Sequence, residues 1–369
     1  VKVHQRITAG CDAPALSDWS RDMEANPAKK FRSIPWYKTP LDRDLLKQLN
    51  QRSNLRGLAQ ALGHLSLLAI TGGVSVYSAY HWSIVVTLAL LFLHGTCFAF
   101  MINAVHELVH NTVFRSRWLN ELFVRVFAFL GWINFEHFQA SHVRHHAFTL
   151  HPPDDGEVVL PMRIVVRDFL RYGFVNWRGP YYTVRGTLRN ARGRFDGEWS
   201  ATLFPDRAKL RGPIRWARVL LIGHALILAV SICMHGWMIP VVVTLAPFYG
   251  GWLFFLLNST QHIGLQDNVP DFRLCCRTIL VNPVAQFLYW HMNFHTEHHM
   301  YPTVPCYYLP RLHRAMKHDM PYCPRGLIAT WRHIADILHQ QQLDPTYQYH
   351  AELPGQSDAG SPQVAGACS

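Results

Sequence analysis

The chain is short of charge. Asp, Glu, Lys and Arg make up 16% of its 369 residues, against about a quarter in an ordinary soluble domain. The shortage is concentrated. Gly57 to Val105 (49 residues) and Val219 to Gln261 (43 residues) contain none of the four. No C-x-x-C spacing occurs among Cys11, Cys97, Cys233, Cys275, Cys276, Cys306, Cys323 and Cys368. That absence argues against a cysteine zinc ribbon or a thioredoxin-type redox pair, and the thiols read as free ones in a reducing compartment. There is no G-x-G-x-x-G nucleotide loop, no H-P-G-G haem motif and no C-x-H…C-x-x-H Rieske pattern. The N-terminal stretch has no apolar core, so a cleavable signal peptide is not expected. The last four residues form neither a prenylation box nor a retrieval signal. Acidic residues are the scarcer sign, 24 against 35 basic, for a net charge of +11. The basic residues form no nucleic-acid motif, so an anionic membrane face or an acidic protein is the expected partner rather than nucleic acid.

What is present is apolar surface and histidine. One bilayer crossing takes about 20 apolar helical residues, so each charge-free run is long enough for two crossings with a tight turn. The expectation is four transmembrane helices in two hairpins, at about residues 57–80, 82–105, 219–239 and 240–261. The first turn is expected near Ser78-Ala79-Tyr80-His81 and the second at "HGWMIP", His235 to Pro240. Residues 1–56 read as a cytosolic extension whose aromatic cluster "FRSIPWYKTP" suits a membrane interface. Residues 346–369 are polar and read as a disordered tail. Of the 35 basic residues, 11 precede Gly57, 17 lie between His106 and Arg218, and seven follow Gln261. Two hairpins put all of them, and both termini, on the cytosolic face, as the positive-inside rule requires. "LFVRVFAFLGWINF", Leu122 to Phe135, is short and carries Arg125, so it reads as an interfacial or partly buried helix. The fold class expected is an all-α integral membrane protein, with a cytosolic helical cap formed by the regions around and after the hairpins.

Nine of the 23 histidines fall at helical spacing. They are His106 and His110 in "HELVH", His142, His145 and His146 in "HVRHH", His262 in "NSTQH" with Asn258 four residues before it, and His295, His298 and His299 in "HTEHH". Spacings of three and four place side chains on one helix face, and the topology brings all four motifs to the same side of the membrane. "HELVH" alone also fits the zinc-peptidase pattern, with Glu107 as general base. A zinc peptidase needs three protein ligands and an open position, however, and would leave most of these imidazoles idle. Two metals, each held by four or five nitrogens, would use them all, and a redox metal gives such a pair a purpose. Glu107 and Glu297 then read as carboxylates that orient an imidazole by accepting its other N–H. A metal transporter is the remaining rival, and charge-free crossings argue against it. His64, His94 and His224, within the crossings, read as hydrogen-bonding links between helices. His137, His151 and His291 read as neighbours of the boxes, His291 on the same helix face as His295.

These boxes resemble the membrane fatty acid desaturase superfamily, whose members carry H-x-x-x-H, H-x-x-H-H and H-x-x-H-H. The resemblance covers roughly Gly57 to Arg332. It implies an integral-membrane, non-haem di-iron oxidoreductase that uses O₂ to oxidise unactivated C–H bonds of a lipid or fatty acyl substrate. Desaturation and hydroxylation both lie within that implication, the latter including hydroxylation of a small alicyclic substrate. The stretches "QHIGLQDNVPDFRLCCRTILVNP" and "YWHMNFHTEHHMYPTVPCYYLPRLH" are similar to a subgroup that includes rhizopine oxygenases and related lipid desaturases. By resemblance, the iron ligands are His106, His110, His142, His145, His146, His262, His295, His298 and His299, with Asn258 as a weak or water-mediated tenth. The resemblance also implies a separate electron carrier, a cytochrome b5 or a Rieske-type ferredoxin with its reductase. It places the protein in the endoplasmic reticulum of a eukaryote or the inner membrane of a bacterium. The arginine-rich stretch from Arg167 to Arg194 could meet either that carrier or anionic lipid headgroups.

Overall fold

The structure is a computed structural model and describes residues 33–162, 164 and 166–354. The expectations for residues 1–32 and 355–369 lie outside these. A compact unit begins at Trp36. The described residues form helices joined by turns, with isolated bridges and no extended strand. In chain order they include α1 (Arg43–Leu49), α2 (Asn54–His81), α3 (Ile84–Phe98), α4 (Met101–Val109), α5 (Arg117–Leu130), α6 (Phe135–Phe148), α7 (Val166–Gly173), α8 (Gly179–Ala191), α9 (Arg211–Cys233), α10 (Met238–Val242), α11 (Trp252–Asn258), α12 (His295–Met300) and α13 (Gly326–Leu343).

Three helical stretches are long and apolar enough to cross a membrane: Asn54–His81, Ile84–Val109 and Arg207–Cys233. The first hairpin turns slightly later than expected. Ser78 Oγ bonds back to the Ser75 carbonyl and forward to Thr87 Oγ1, so α2 runs on to His81. Ser83 then stops it by capping α3 through the Val86 N–H. The third stretch starts before residue 219. Arg211, Arg215 and Arg218 face outward while Gly212, Pro213, Trp216 and Ala217 are buried. A lack of charge marks where lipid can begin, not where a helix begins.

The fourth expected crossing, 240–261, is not one helix. The turn at Met234–Trp237 falls where the sequence suggested, but α10 ends at Val242 and α11 starts only at Trp252. Pro247 removes a backbone donor. Gly250 has φ +71°, and a Cβ there would lie 2.6 Å from the Phe92 carbonyl oxygen, so only glycine permits this approach to α3. The freed backbone groups find partners. His94 Nε2 bonds the Val242 carbonyl (2.8 Å), Trp132 Nε1 donates to Thr244 O (3.0 Å) and Tyr249 Oη to Val241 O (3.0 Å). Asn176 N donates to Phe248 O (2.7 Å), and Gly250 N to Phe174 O (2.8 Å). Buried backbone groups must be satisfied in this way.

The histidines of the crossings act as links. His64 bonds the Cys97 carbonyl and accepts from Trp290 Nε1, each at 3.0 Å. His224 stacks on Phe129 and Trp132 and bonds Phe129 O and Thr244 Oγ1. Helix α5 covers most of the Leu122–Phe135 stretch and buries Phe123, Val124, Phe127 and Ala128. Trp36 is half-buried against the core. It stacks on Phe272 at 4.0 Å and donates to the Ala147 carbonyl, while Tyr37 and Thr39 bond Asp319. Residues 346–354, expected as tail, are held. Tyr349 N donates to Gly264 O, Gln348 bonds Asp267, and Leu353 is buried.

Candidate metal centre

Helix α4 presents His106, and His110 follows in its last turn. Helix α6 carries His142, His145 and His146, and Asn134 caps its start by accepting from His137 N. Helix α12 begins at His295 and carries the third box. His262 arrives differently. Residues 259–264 are turns, so Asn258 and His262 do not share a helix face, and the turn is fixed by His262 Nδ1 donating to the Cys275 carbonyl (2.8 Å). His291 does not share a face with His295 either. It has φ +59° and precedes the start of α12.

The nine histidines form two groups. One is His106, His110, His142, His146 and His298; the other is His145, His262, His295 and His299. Within each group the candidate ligand atoms lie within 4.8 Å of one another. The helix explains the division. On the shared face the residue at i+4 lies about 40° to one side of i and the residue at i+3 about 60° to the other, so those two diverge by about 100°. Box two therefore gives His142 and His146 to the first group and His145 to the second. Box three gives His295 and His299 to the second group and His298 to the first. Each helix serves both groups, crosswise.

Carboxylates behind the rings set the imidazoles' protonation. His142 Nδ1 faces Glu157 Oε1 at 2.9 Å, and His145 Nδ1 faces Asp155 Oδ2 at 2.8 Å. Asp155 is itself held by the N–H groups of Leu150 and Glu157. Glu157 accepts from Ser141 Oγ at 2.5 Å, and Trp199 Nε1 donates to that hydroxyl. Thr149 donates to the His145 carbonyl, so its lone pair accepts from His299 Nδ1 (3.1 Å). A proton held on Nδ1 leaves the Nε2 lone pair free to bind a metal. Inside, Nε2 atoms converge: His110–His142 at 3.1 Å, His142–His146 at 3.0 Å, His146–His298 at 3.1 Å and His262–His295 at 2.8 Å. His299 Nε2 is buried with no hydrogen-bond partner among the described residues. Nitrogens on one ion at about 2.1 Å lie about 3 Å apart when cis and just over 4 Å when trans, close to these separations. The donor sets fit a metal in each group.

Burial holds most of these imidazoles neutral, with His110 pushed down to about 4 and His262 to about 3. His145 is the exception. Burial lowers it too, but the Asp155 carboxylate beside it raises it above its usual value.

Glu107 is fully buried, with Oε1 3.1 Å from His106 Nδ1 and 3.5 Å from His298 Nδ1. It lies behind two histidines of different boxes, the orienting position expected for it. Glu297 differs from expectation. It holds His313 Nδ1 and Thr278 Oγ1, each at 2.5 Å, and orients no box histidine. His137 bonds Ser200, His151 bonds the Thr149 carbonyl, and neither joins a group. Sequence reasoning missed Asp155 and Glu157. Their signal was "HPPDDGE", His151 to Glu157, three acids in seven residues of an acid-poor chain, directly after box two.

The sequence model described as "Fatty acid desaturase" matches residues 80–331. The chain is similar to the acyl-lipid (9-3)-desaturase of Physcomitrium patens, 24% identical over 295 residues, which are 73% of this chain and 54% of that protein. It thus spans about half the length of the curated relative it matches. With more than half of its residues matched to the family, histidine groups that fit metal and three helices long and apolar enough to cross a bilayer, the chain belongs to the fatty acid desaturase family.

Proposed function

We propose that this protein is a di-iron, O₂-dependent oxidoreductase that introduces a double bond into the acyl chain of a membrane lipid. The observation that carries the reading is the crosswise division of nine buried or half-buried imidazoles into groups of five and four. His106, His110, His142, His146 and His298 would hold one iron, and His145, His262, His295 and His299 the other, with Asn258 a weak or water-mediated contributor. Bound there, the irons would supply the reductive activation of O₂ that removal of hydrogen from an unactivated C–H bond requires. The protein's part is to hold the imidazoles in one tautomer through Asp155, Glu157 and Glu107, and to keep the rings out of bulk water. All nine are buried or half-buried. Glu107 is engaged behind His106, which disfavours the zinc-peptidase role for "HELVH".

The two electrons come from a carrier outside these 369 residues, a cytochrome b5 or a Rieske-type ferredoxin. The discontinuous segment from Met238 to Asn258 serves as the fourth crossing. A broken helix suffices because neighbouring side chains satisfy its backbone. The boxes and both ends of the chain then face the cytosol, at the endoplasmic reticulum or a bacterial inner membrane. Hydroxylation uses the same site and is the second reading. The test is iron analysis of the purified protein, followed by turnover of a deuterated acyl-lipid panel with a reducing carrier. Two irons per chain and an alkene product are expected. A hydroxylated product selects the second reading, and a single tightly held zinc with no O₂ consumption sinks both.

A further inference from the structure

The outward face of α9 changes character along its length. Arg211, Arg215 and Arg218 lie at i, i+4 and i+7, on one face, and all three are exposed. With Ile214 they line one open stretch of surface. Arg218 Nε donates to the Ala191 carbonyl at the end of α8 (3.1 Å), which fixes that guanidinium in place. Arg211 and Arg215 form no hydrogen bond or ion pair among the described residues. Glu136 lies against the Gly212 backbone, and Arg215 acts on it. None of the three guanidiniums forms an ion pair with a carboxylate among the described residues. Immediately beyond Arg218 the stripe turns apolar and stays exposed, with Val219, Ile222 and Leu226 46%, 60% and 59% exposed.

We propose that the first turns of α9 bind one anionic phospholipid of the surrounding bilayer. Arg211, Arg215 and Arg218 hold its phosphate, and its acyl chains lie along Val219, Ile222 and Leu226. The three arginines span about 10 Å of helix, the depth of a headgroup layer, and the apolar residues begin where acyl chains begin. A soluble acidic protein would use the charge but not the apolar continuation of the same stripe. The excess of positive charge selects a net-negative headgroup over a zwitterionic one.

The test uses full-length protein in detergent and reads bound lipid by native mass spectrometry and thermal midpoint. The probes are dioleoylphosphatidylglycerol, dioleoylphosphatidylcholine and inorganic phosphate. Wild type should retain phosphatidylglycerol and be stabilised by it, and phosphatidylcholine should do neither. The triple variant R211Q/R215Q/R218Q should bind phosphatidylglycerol on the order of 100-fold more weakly, with its iron content unchanged. Should the triple variant not purify, Arg211→Gln alone should cost about fivefold. Unchanged phosphatidylglycerol binding in either variant overturns the proposal. So does millimolar phosphate that displaces the lipid, which would make the cluster a free-anion site. Loss of carrier binding with lipid binding intact would assign the arginines to a protein partner instead.

Discussion

Asp155→Asn tests the crosswise arrangement at one point. Asp155 is 1% exposed and accepts from His145 Nδ1 (2.8 Å), Leu150 N (2.9 Å) and Glu157 N (2.9 Å). Asparagine keeps the shape but replaces one accepting oxygen by an NH₂. Either the His145 and Leu150 donors or the Glu157 donor then face another donor. An unsatisfied buried donor costs about 1–3 kcal/mol, so one or two of them should lower stability by roughly 1–6 kcal/mol. At the metal, loss of an outer carboxylate partner costs about 10–100-fold in affinity. Only the group containing His145 should feel it. Glu157→Gln, acting on His142, should weaken the other group. The assay is iron retained per chain against increasing chelator. Each variant should lose one iron early and hold the second as wild type does. Double variants assign the centre: adding D155N to H145A should cost little more than H145A alone, whereas adding it to H142A should cost its full amount. Loss of both irons together in D155N, or full additivity with H145A, would refute the division into two centres.

Three further outcomes are expected. Glu107→Gln should keep a substantial fraction of turnover, because an amide oxygen can still accept from His106 Nδ1; complete loss with both irons present would restore a proton-transfer role for this carboxylate. Asn258→Ala should keep its iron and lose most turnover, while Asn258→His should bind iron at least as well and also turn over poorly; wild-type rates for the alanine variant would make the amide structural. The metal-free protein should lose stability as pH falls. His110 and His262 have folded values of about 4 and about 3 against about 6.5 when unfolded. The unfolded chain therefore binds more protons below pH 6.5, and the thermal midpoint should drop between pH 6.5 and 4. A flat midpoint across that window would contradict the burial of these two rings.

The clustering of the histidines was legible in the sequence because helical spacing is a local property. "HVRHH" and "HTEHH" place their imidazoles by the pitch of one helix, and Ile84–Val109 follows from a charge-free run. The allocation of rings to two centres was not legible, since it depends on how α6 and α12 face each other. Asp155 and Glu157 reach the rings through a loop with no period to read. His262 was placed on a helix that stops at Asn258, and the fourth crossing was read as continuous, for one reason. Mean hydropathy sums composition and is blind to a backbone that bends at Pro247 and Gly250. The stacking of Trp36 on Phe272 was not legible either, since aromaticity does not say which ring an indole meets.

The break between Val242 and Trp252 also changes how substitutions in neighbouring helices should be interpreted. His94 and Trp132 reach across to carbonyls that a regular helix would have bonded internally, and His224 grips Thr244 from the other side. His94 and Trp132, polar groups in an apolar setting, are explained by the break in a neighbouring backbone. Replacing His94 with leucine would strand a carbonyl. Straightening the fourth segment by changing Pro247 and Gly250 would strand His94. Variants at these two places should therefore be deleterious singly and milder in combination, so that a lineage could leave this arrangement only by changing both.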